Sequence, residues 1–547
     1  MASLDIQHPK KNRPQRSLLS KGLSLSVLTL FSRVLGLLRE MTKAKFLGTS
    51  AFSDAFGIAF MIPNLFRRLF AENSISVAFI PTFKGYLENA GTPDGKKTAE
   101  NFISSTFTLV TFLTVIFVLA GMAATPLILR LFYSTQNRAA WNEAIVLTRI
   151  MFPYLAIISV AAFFQGILNG LKIFSPSGFT PILFNAIVVI FTYALSPYTA
   201  NPARAMAIGV VAGGAVQAAF QLPFVLKNGW RVTFTSLKAS FTNPGTRTVL
   251  RLVGPTVIGM AAYQLNDLVS SMLAARAGEG VVSSLQYSLR LQELILGICA
   301  VTIGTVILPD LTGFAKQNDW AQFNRMLSLA INIMALIAIP ISFYAFIMGR
   351  ELITLVFATG RFDEHSVELT LKVFRFHIVA LFFIAVNRIV SPAFYAQQDT
   401  KSPTAAGMIG FAVNIVLAFT LVRILGGSGI ALALSLASFV NTIVLFLFLS
   451  RSPTVNVKTV VRSSLVYAIR IALFSAAASV PMLILKSRFC ALFNGHTRLV
   501  SQGGPALCTA ALFAAIGLFL LAFTKDPLLK HMLNIFKAKR STSHEQY

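Results

Sequence analysis

Arg33, Arg39, Arg67 and Arg290 each stand in a stretch of chain otherwise rich in Phe, Leu, Ile and Val. A guanidinium group stays charged at any accessible pH and offers five N–H donors in a planar fork, which suits the oxygens of a phosphate two at a time. The acids nearby are few: Glu40 follows Arg39, Asp54 stands upstream of Arg67, and Glu293 lies one helical turn beyond Arg290, where it can pair with it. These acids cannot neutralise all four cations. The competing reading is an ion pair within or between helices; the favoured one is a surplus of fixed positive charge that binds an anion, with phosphate or diphosphate the best chemical match.

The missing motifs narrow the chemistry further. The chain has no GxxxxGK[ST] loop for nucleotide phosphates, no GxSxG, no HExxH, and no carboxylate pair flanked by His. Asp363 and Glu364 are the only acidic cluster worth weighing for catalysis, and they read as a solvated face. Cys299, Cys490 and Cys508 lie far apart without CxxC or Cys/His spacing, so they read as small core residues, not a disulfide framework or metal ligands. His377, close to Arg375, reads as a packed or cavity residue. No catalytic residue, cofactor or metal is expected, and the chain reads as a transporter, not an enzyme.

The elements that position these arginines must be membrane helices. Of 547 residues 55% are hydrophobic and 48 are Phe; mean hydropathy is +0.70. Charged residues make up 12%, about half the ~25% of a soluble protein. The net charge is +27, from 47 basic and 20 acidic residues. In a soluble chain that would suggest nucleic acid, but here the basic residues flank apolar runs and no nucleic-acid motif is present. Topology and attraction to anionic lipid headgroups explain the charge instead.

A hydrocarbon core of about 30 Å takes roughly 20 helical residues. That ruler gives fourteen spans, centred near residues 32, 68, 116, 158, 187, 215, 260, 300, 335, 382, 413, 438, 475 and 514. The first span follows five basic residues but contains Arg33 and Arg39 and no clear cleavage site, so it reads as a retained helix. Segments on the N-terminal side of the membrane carry 25 basic residues, the opposite loops 10, and the spans 12. The positive-inside rule then places both termini in the cytoplasm. Lys486, Arg488 and Arg498 run against that bias. Arg130, Arg149 and Arg470, near span ends, read as snorkelling to the headgroups.

The sequence also repeats itself. FIPTFKGY at 79–86 recurs as ILPDLTGF at 307–314, and the turn FSPSG at 174–178 recurs as KSPTA at 401–405, at offsets of 228 and 227. On the span count this is six helices, an even number, so the halves share one orientation and form a parallel repeat, an arrangement that places substrate between the halves. Polar residues concentrate in spans one, two, seven and eight, equivalent pairs in the two repeats: Ser32, Arg33, Arg39, Glu40, Lys43 and Lys45; Asp54, Arg67, Arg68 and Glu72; Asn266 and Asp267; Arg290 and Glu293. Lys43, Lys45, Arg68 and Glu72 suit a headgroup interface equally well. Charges inside a membrane face a cavity or a partner, so these helices are expected to enclose a hydrated cationic cavity. Spans three, five, six, eleven and twelve are nearly bare of charge.

FSRVLGLLRE at 31–40, PNLFRRLFAE at 63–72, YSLRLQE at 287–293 and PAFYAQQDTKSP at 392–403 together resemble the MurJ (MviN) family of lipid II flippases, in the multidrug/oligosaccharidyl-lipid/polysaccharide exporter superfamily. The resemblance covers roughly residues 20–450. It implies an all-α polytopic fold of fourteen transmembrane helices: an N-lobe at 22–228 and a C-lobe at 246–450 in parallel pseudo-repeat, joined by a cytoplasmic linker at 229–245. Appended helices at 451–524 would form an apolar groove for a lipid tail, and basic cytoplasmic tails fall at 1–21 and 525–547. It implies alternating access, carrying undecaprenyl-diphosphate-linked disaccharide-pentapeptide from the inner to the outer leaflet of the bacterial cytoplasmic membrane.

Arg33, Arg39, Arg67 and Arg290 resemble the family's cavity arginines, Asp54 its outer-gate acid, and Glu293 and Glu40 its charge-pairing acids. Glu40 stands where Asp is usual, Asn73 replaces a common Gly, and Leu289 a frequent Asp. The expected partners are lipid II, anionic membrane lipids and the cell-wall synthesis machinery, with a monomer as the acting unit. The alternatives are a related transporter of a drug or another lipid-linked oligosaccharide, which in the drug case should carry acids in its cavity; a membrane enzyme acting on lipid-linked sugars; and a non-transporting membrane scaffold.

Overall fold

The computed structural model describes residues 16–72, 75–133, 138–302 and 308–530, and among these residues it is helical with no strand. Nine of the helices are long and apolar enough to cross a membrane, and a tenth joins them if Glu364–Val379 and Leu381–Ala396, bent by 42°, make one broken span. The chain is a multi-pass membrane protein. Of the fourteen expected spans, the four outside this set correspond to helices Arg16–Leu47, Ala51–Phe66, Pro244–Ala277 and Val281–Thr302. These are the segments that carry Arg33, Arg39, Asp54, Asn266, Asp267 and Arg290; their polar side chains, and in Ala51–Phe66 its short length, set them apart from the rest.

The chain forms two compact units. The first comprises Met1–Thr42, Ala59–Thr125 and Val146–Gly259; the second comprises Lys43–Ile58, Pro126–Ile145 and Met260–Tyr547. Aromatic rings build the core of the first unit. Phe79 lies 5.5 Å from Phe83 and 5.6 Å from Phe102, both nearly parallel, and Phe163 packs on it at 4.7 Å. Such pairs add roughly 0.5–1.5 kcal/mol each beyond the apolar area they bury. Helices Ser175–Leu195 and Pro202–Lys227 approach closely because Gly209 and Gly213 lack side chains: a Cβ on Gly209 would sit 3.2 Å from the Val188 Cα.

In the second unit the last two long helices, Val457–Leu492 and Arg498–Phe523, pack on Trp320–Ile347 and the short helix after it. Ala335, Ile339, Ala468, Ile471 and Leu521 form one apolar contact, and Met348, Ala478, Met482 and Phe513 another. The Tyr344 hydroxyl donates to the Ala506 carbonyl at 2.6 Å. The Arg470 guanidinium, near a span end, donates to the Thr524 hydroxyl at 2.5 Å and lies 3.4 Å from the buried carboxylate of Asp526. Lys486 and Arg498, two of the basic residues that oppose the charge bias, are engaged as well. Lys486 pairs with Glu351 at 2.8 Å, and Arg498 donates to the Ala358 carbonyl at 2.8 Å.

The repeat is visible in the element order. Helices Ile80–Glu88 and Leu308–Lys316 end 228 positions apart, and the next long helices start at Pro93 and Trp320. Residues 1–15 of the expected tail at 1–21, residues 531–547 of that at 525–547, and Asn73 lie outside the described residues.

Candidate functional site

Helix Ala51–Phe66 contains Pro63, which supplies no N–H to the helical ladder. Just beyond it, at Arg67–Glu72, the backbone widens into a π-helical turn, a geometry that recurs at functional sites because it re-aims side chains. The Arg67 Nε donates to the Asn64 Oδ1 at 2.9 Å across this junction. Arg67 and Arg68 both line a cavity of about 410 Å³ within the first unit.

Arg39 reaches the same cavity from helix Arg16–Leu47. Its guanidinium carbon lies 5.8 Å from the ring centres of both Phe60 and Phe184, a cation–π arrangement that fixes the group without neutralising it. Its Nη2 also meets the Glu40 Oε1 at 2.7 Å. One carboxylate contact takes only a part of a guanidinium's five donors. Tyr154 adds to the aromatic wall, and Gln165, Gln217 and Gln221 supply amides. Three guanidinium groups and no carboxylate line the cavity among the described residues. It is chemically fitted to an anion.

Of the residues expected from sequence, Arg39 and Arg67 are brought together. Arg68, which suited a headgroup interface equally well, joins them. Arg33 is exposed and does not line the cavity. Arg290 belongs to the second unit, where it pairs with Glu293 at 2.9 Å. Arg39 and Arg290 thus each make one ion pair, and the Arg290 Nε is buried without a hydrogen-bond partner among the described residues. Gln165, Gln217 and Gln221 went unrecognised; the available signal was the i,i+4 spacing of Gln217 and Gln221 in a span otherwise apolar.

The acid Asp54 does different work. Both its oxygens are occupied: Oδ2 accepts the Gly280 N–H at 2.7 Å, and Oδ1 accepts the Ser283 N–H at 2.8 Å and its hydroxyl at 2.7 Å. It caps helix Val281–Thr302 from a distant segment, satisfying N–H groups that the helix start leaves open. The surrounding turn is tied equally well. Tyr287 donates to the Gly48 carbonyl at 3.0 Å, Thr49 and Ser366 share a 2.9 Å hydrogen bond, and the Arg361 N–H meets the Lys45 carbonyl at 2.9 Å. Lys43 does not snorkel: it is 2% exposed and donates to the Gln286 Oε1 at 2.7 Å. His377, as expected, is packed, bonded through Nδ1 to the Ser288 hydroxyl at 2.7 Å.

Comparison with known proteins places this geometry in context. The sequence model of the family described as lipid II flippase MurJ matches residues 43–499. A probable lipid II flippase MurJ of Treponema pallidum is 46% identical over 517 residues, spanning 94% of this chain and 97% of its own. A solved structure of a lipid II flippase MurJ in an inward closed conformation aligns with a TM-score of 0.74 at 25% identity, over 92% of this chain and 99% of that one. An inward-facing multidrug transporter of the MATE family, in the MOP superfamily, aligns with a TM-score of 0.63 at 16% identity, over 79% of this chain and 96% of that one. The last likeness speaks to the fold alone.

Proposed function

The chain belongs to the MurJ family of lipid II flippases, and from that membership we propose that it carries lipid II, the undecaprenyl-diphosphate-linked disaccharide-pentapeptide, from the inner to the outer leaflet. The observation that carries this reading is the concentration of Arg39, Arg67 and Arg68 around one cavity. A diphosphate cannot enter a membrane unaided, because its charges would lose their water. Bidentate guanidinium contacts replace that hydration. At about 410 Å³ the cavity suits the diphosphate and its immediate neighbour, not the whole headgroup.

In this reading the polar helices carrying Arg33, Asp54, Asn266 and Arg290 also cross the membrane. They complete fourteen spans: an N-lobe at 22–228, a linker at 229–245, a C-lobe at 246–450 and appended helices at 451–524 whose apolar surface takes the prenyl tail. Both termini lie in the cytoplasm of a bacterium, and the protein acts as a monomer in the inner membrane, beside anionic lipids and the cell-wall synthesis machinery. The cationic cavity opens to one side and then the other. Asp54, with the bonds it makes to Gly280 and Ser283, closes the outer side, and Glu40 and Glu293 restrain Arg39 and Arg290 when no substrate is bound. Arg33 and Arg290 meet the diphosphate at other points of its path.

A drug antiporter with cationic guests is disfavoured by the same lining. The test is complementation of a flippase-depleted bacterium, with surface accessibility of lipid II as readout. The wild-type chain should restore accessibility, and the Arg39→Ala/Arg67→Ala double variant at equal protein level should not. A wild-type chain that left lipid II facing the cytoplasm would overturn the proposal.

A further inference from the structure

Gln217 and Gln221 stand one turn apart on helix Pro202–Lys227, both line the arginine cavity, and they are only 8% and 1% exposed. The Gln221 Nε2 donates to two carbonyls, that of Ala161 at 3.1 Å and that of Gln217 at 3.2 Å. This fixes the amide's orientation, because the flipped form would set its oxygen against two other oxygens. The Gln221 Oε1 is then left buried without a hydrogen-bond partner among the described residues, and the Gln217 Oε1 beside it also has none there.

Buried acceptors without partners are rare in folded proteins and each calls for an explanation. An ionised diphosphate cannot supply one, because it carries acceptors only and would repel the amide oxygens. What satisfies them must bring an O–H or N–H donor into a space where the positive arginines hold an anion. A sugar attached to a diphosphate does both.

We infer that Gln217 and Gln221 recognise a donor on the headgroup next to the diphosphate, a sugar hydroxyl or an amide N–H, so that the cavity selects sugar-bearing polyprenyl diphosphates over sugar-free ones. The inference rests on the diphosphate reading above and adds a second recognition element to it. The arginines supply affinity for any polyprenyl diphosphate. The glutamines supply selectivity, because a buried acceptor left unpaired penalises the ligand that lacks the donor.

The test titrates the full-length protein in lipid nanodiscs with two probes, lipid II and undecaprenyl diphosphate. Gln217→Met removes one acceptor at similar volume and should weaken lipid II binding about tenfold, the scale of one well-made hydrogen bond, with undecaprenyl diphosphate unchanged within about twofold. If that variant does not fold, Gln221→Met carries the same expectation. Equal weakening of both probes would assign the glutamines a structural role, and no weakening of either would mean that water serves the acceptors; either result overturns the inference. Arg67→Ala separates this from the underlying reading, because it should weaken both probes together. An Arg67→Ala protein that bound both probes like wild type would sink the diphosphate reading instead.

Discussion

The cavity of the first unit and the Leu47–Asp54 turn of the second are both polar regions in an apolar protein, yet they are finished in opposite ways. Around Asp54 each acceptor has its donor: a buried carboxylate takes two N–H groups and a hydroxyl, and neighbouring carbonyls take a tyrosine O–H and an arginine backbone N–H. Around Arg39 the lining sets a guanidinium over two aromatic rings, Arg67 and Arg68 stand on the same cavity, and two glutamine oxygens are buried without a partner among the described residues. A saturated polar cluster holds a structure together; an unsaturated one awaits a ligand. Buried networks are stabilising when every member is satisfied, and incomplete ones mark where something else must bind.

Substitutions should separate the two regions cleanly. Arg67→Ala should lower transport the most, about 10- to 100-fold for a lost charge-assisted contact of ~1.5–3 kcal/mol, while the unfolding temperature stays close to wild type. Asp54→Ala should do the reverse at the level of stability, costing about 3 kcal/mol or more because three buried donors lose their acceptor, read as a large drop in thermal unfolding temperature. Asp54→Asn, which keeps one acceptor oxygen, should fall between that variant and wild type. If Arg67→Ala unfolded the protein and Asp54→Ala did not, the distinction between the regions would be lost.

Gly280→Ala should come next. Its φ of +79° disfavours a side chain, and a Cβ there would lie 2.4 Å from the Thr49 carbonyl oxygen. The expected loss is about 2 kcal/mol, opposite in sign to the ~0.4–1 kcal/mol gain of an unstrained glycine-to-alanine change, measured by thermal unfolding. Glu293→Gln should have a smaller effect still. Its side chain is 60% exposed, and such pairs contribute ~0–1 kcal/mol.

The smallest effect concerns acid stability at the turn before helix Lys401–Leu425. The hydroxyl and N–H of Ser402 hold the Asp399 carboxyl below its ordinary range. A depressed carboxylate stabilises the fold above its unfolded pKa and loses that contribution as pH falls through the folded value. Asp399→Asn should therefore lower the unfolding temperature slightly at neutral pH and converge with wild type as the pH falls, so that its acid-side decline is flatter.

Much of this was legible in the sequence, for identifiable reasons. Long apolar runs dictate membrane helices, and the density of charge singled out the segments that differ from them. Arg39 and Arg67 were recognisable because a charge in an apolar span needs a reason. Arg68 was ambiguous because a charge near a span end can also reach the interface, and only the folded structure sets it on the cavity. Gln217 and Gln221 escaped because neutral amides cost too little to stand out from an apolar helix. Lys43 looked like an interfacial residue because its partner, Gln286, is 243 positions away, beyond any local pattern. The exposure of Arg33 follows from tertiary packing that spacing alone does not encode.

The central claim is that guanidinium groups of the first unit hold the diphosphate of the substrate. Titration of purified wild-type protein and the Arg39→Ala/Arg67→Ala double variant with lipid II, with thermal unfolding as control, tests it most directly. The expected result is affinity lower by about 100-fold or more, as two charge-assisted contacts of ~1.5–3 kcal/mol each would give, in a protein that still unfolds cooperatively. Affinity within about twofold of wild type would contradict it.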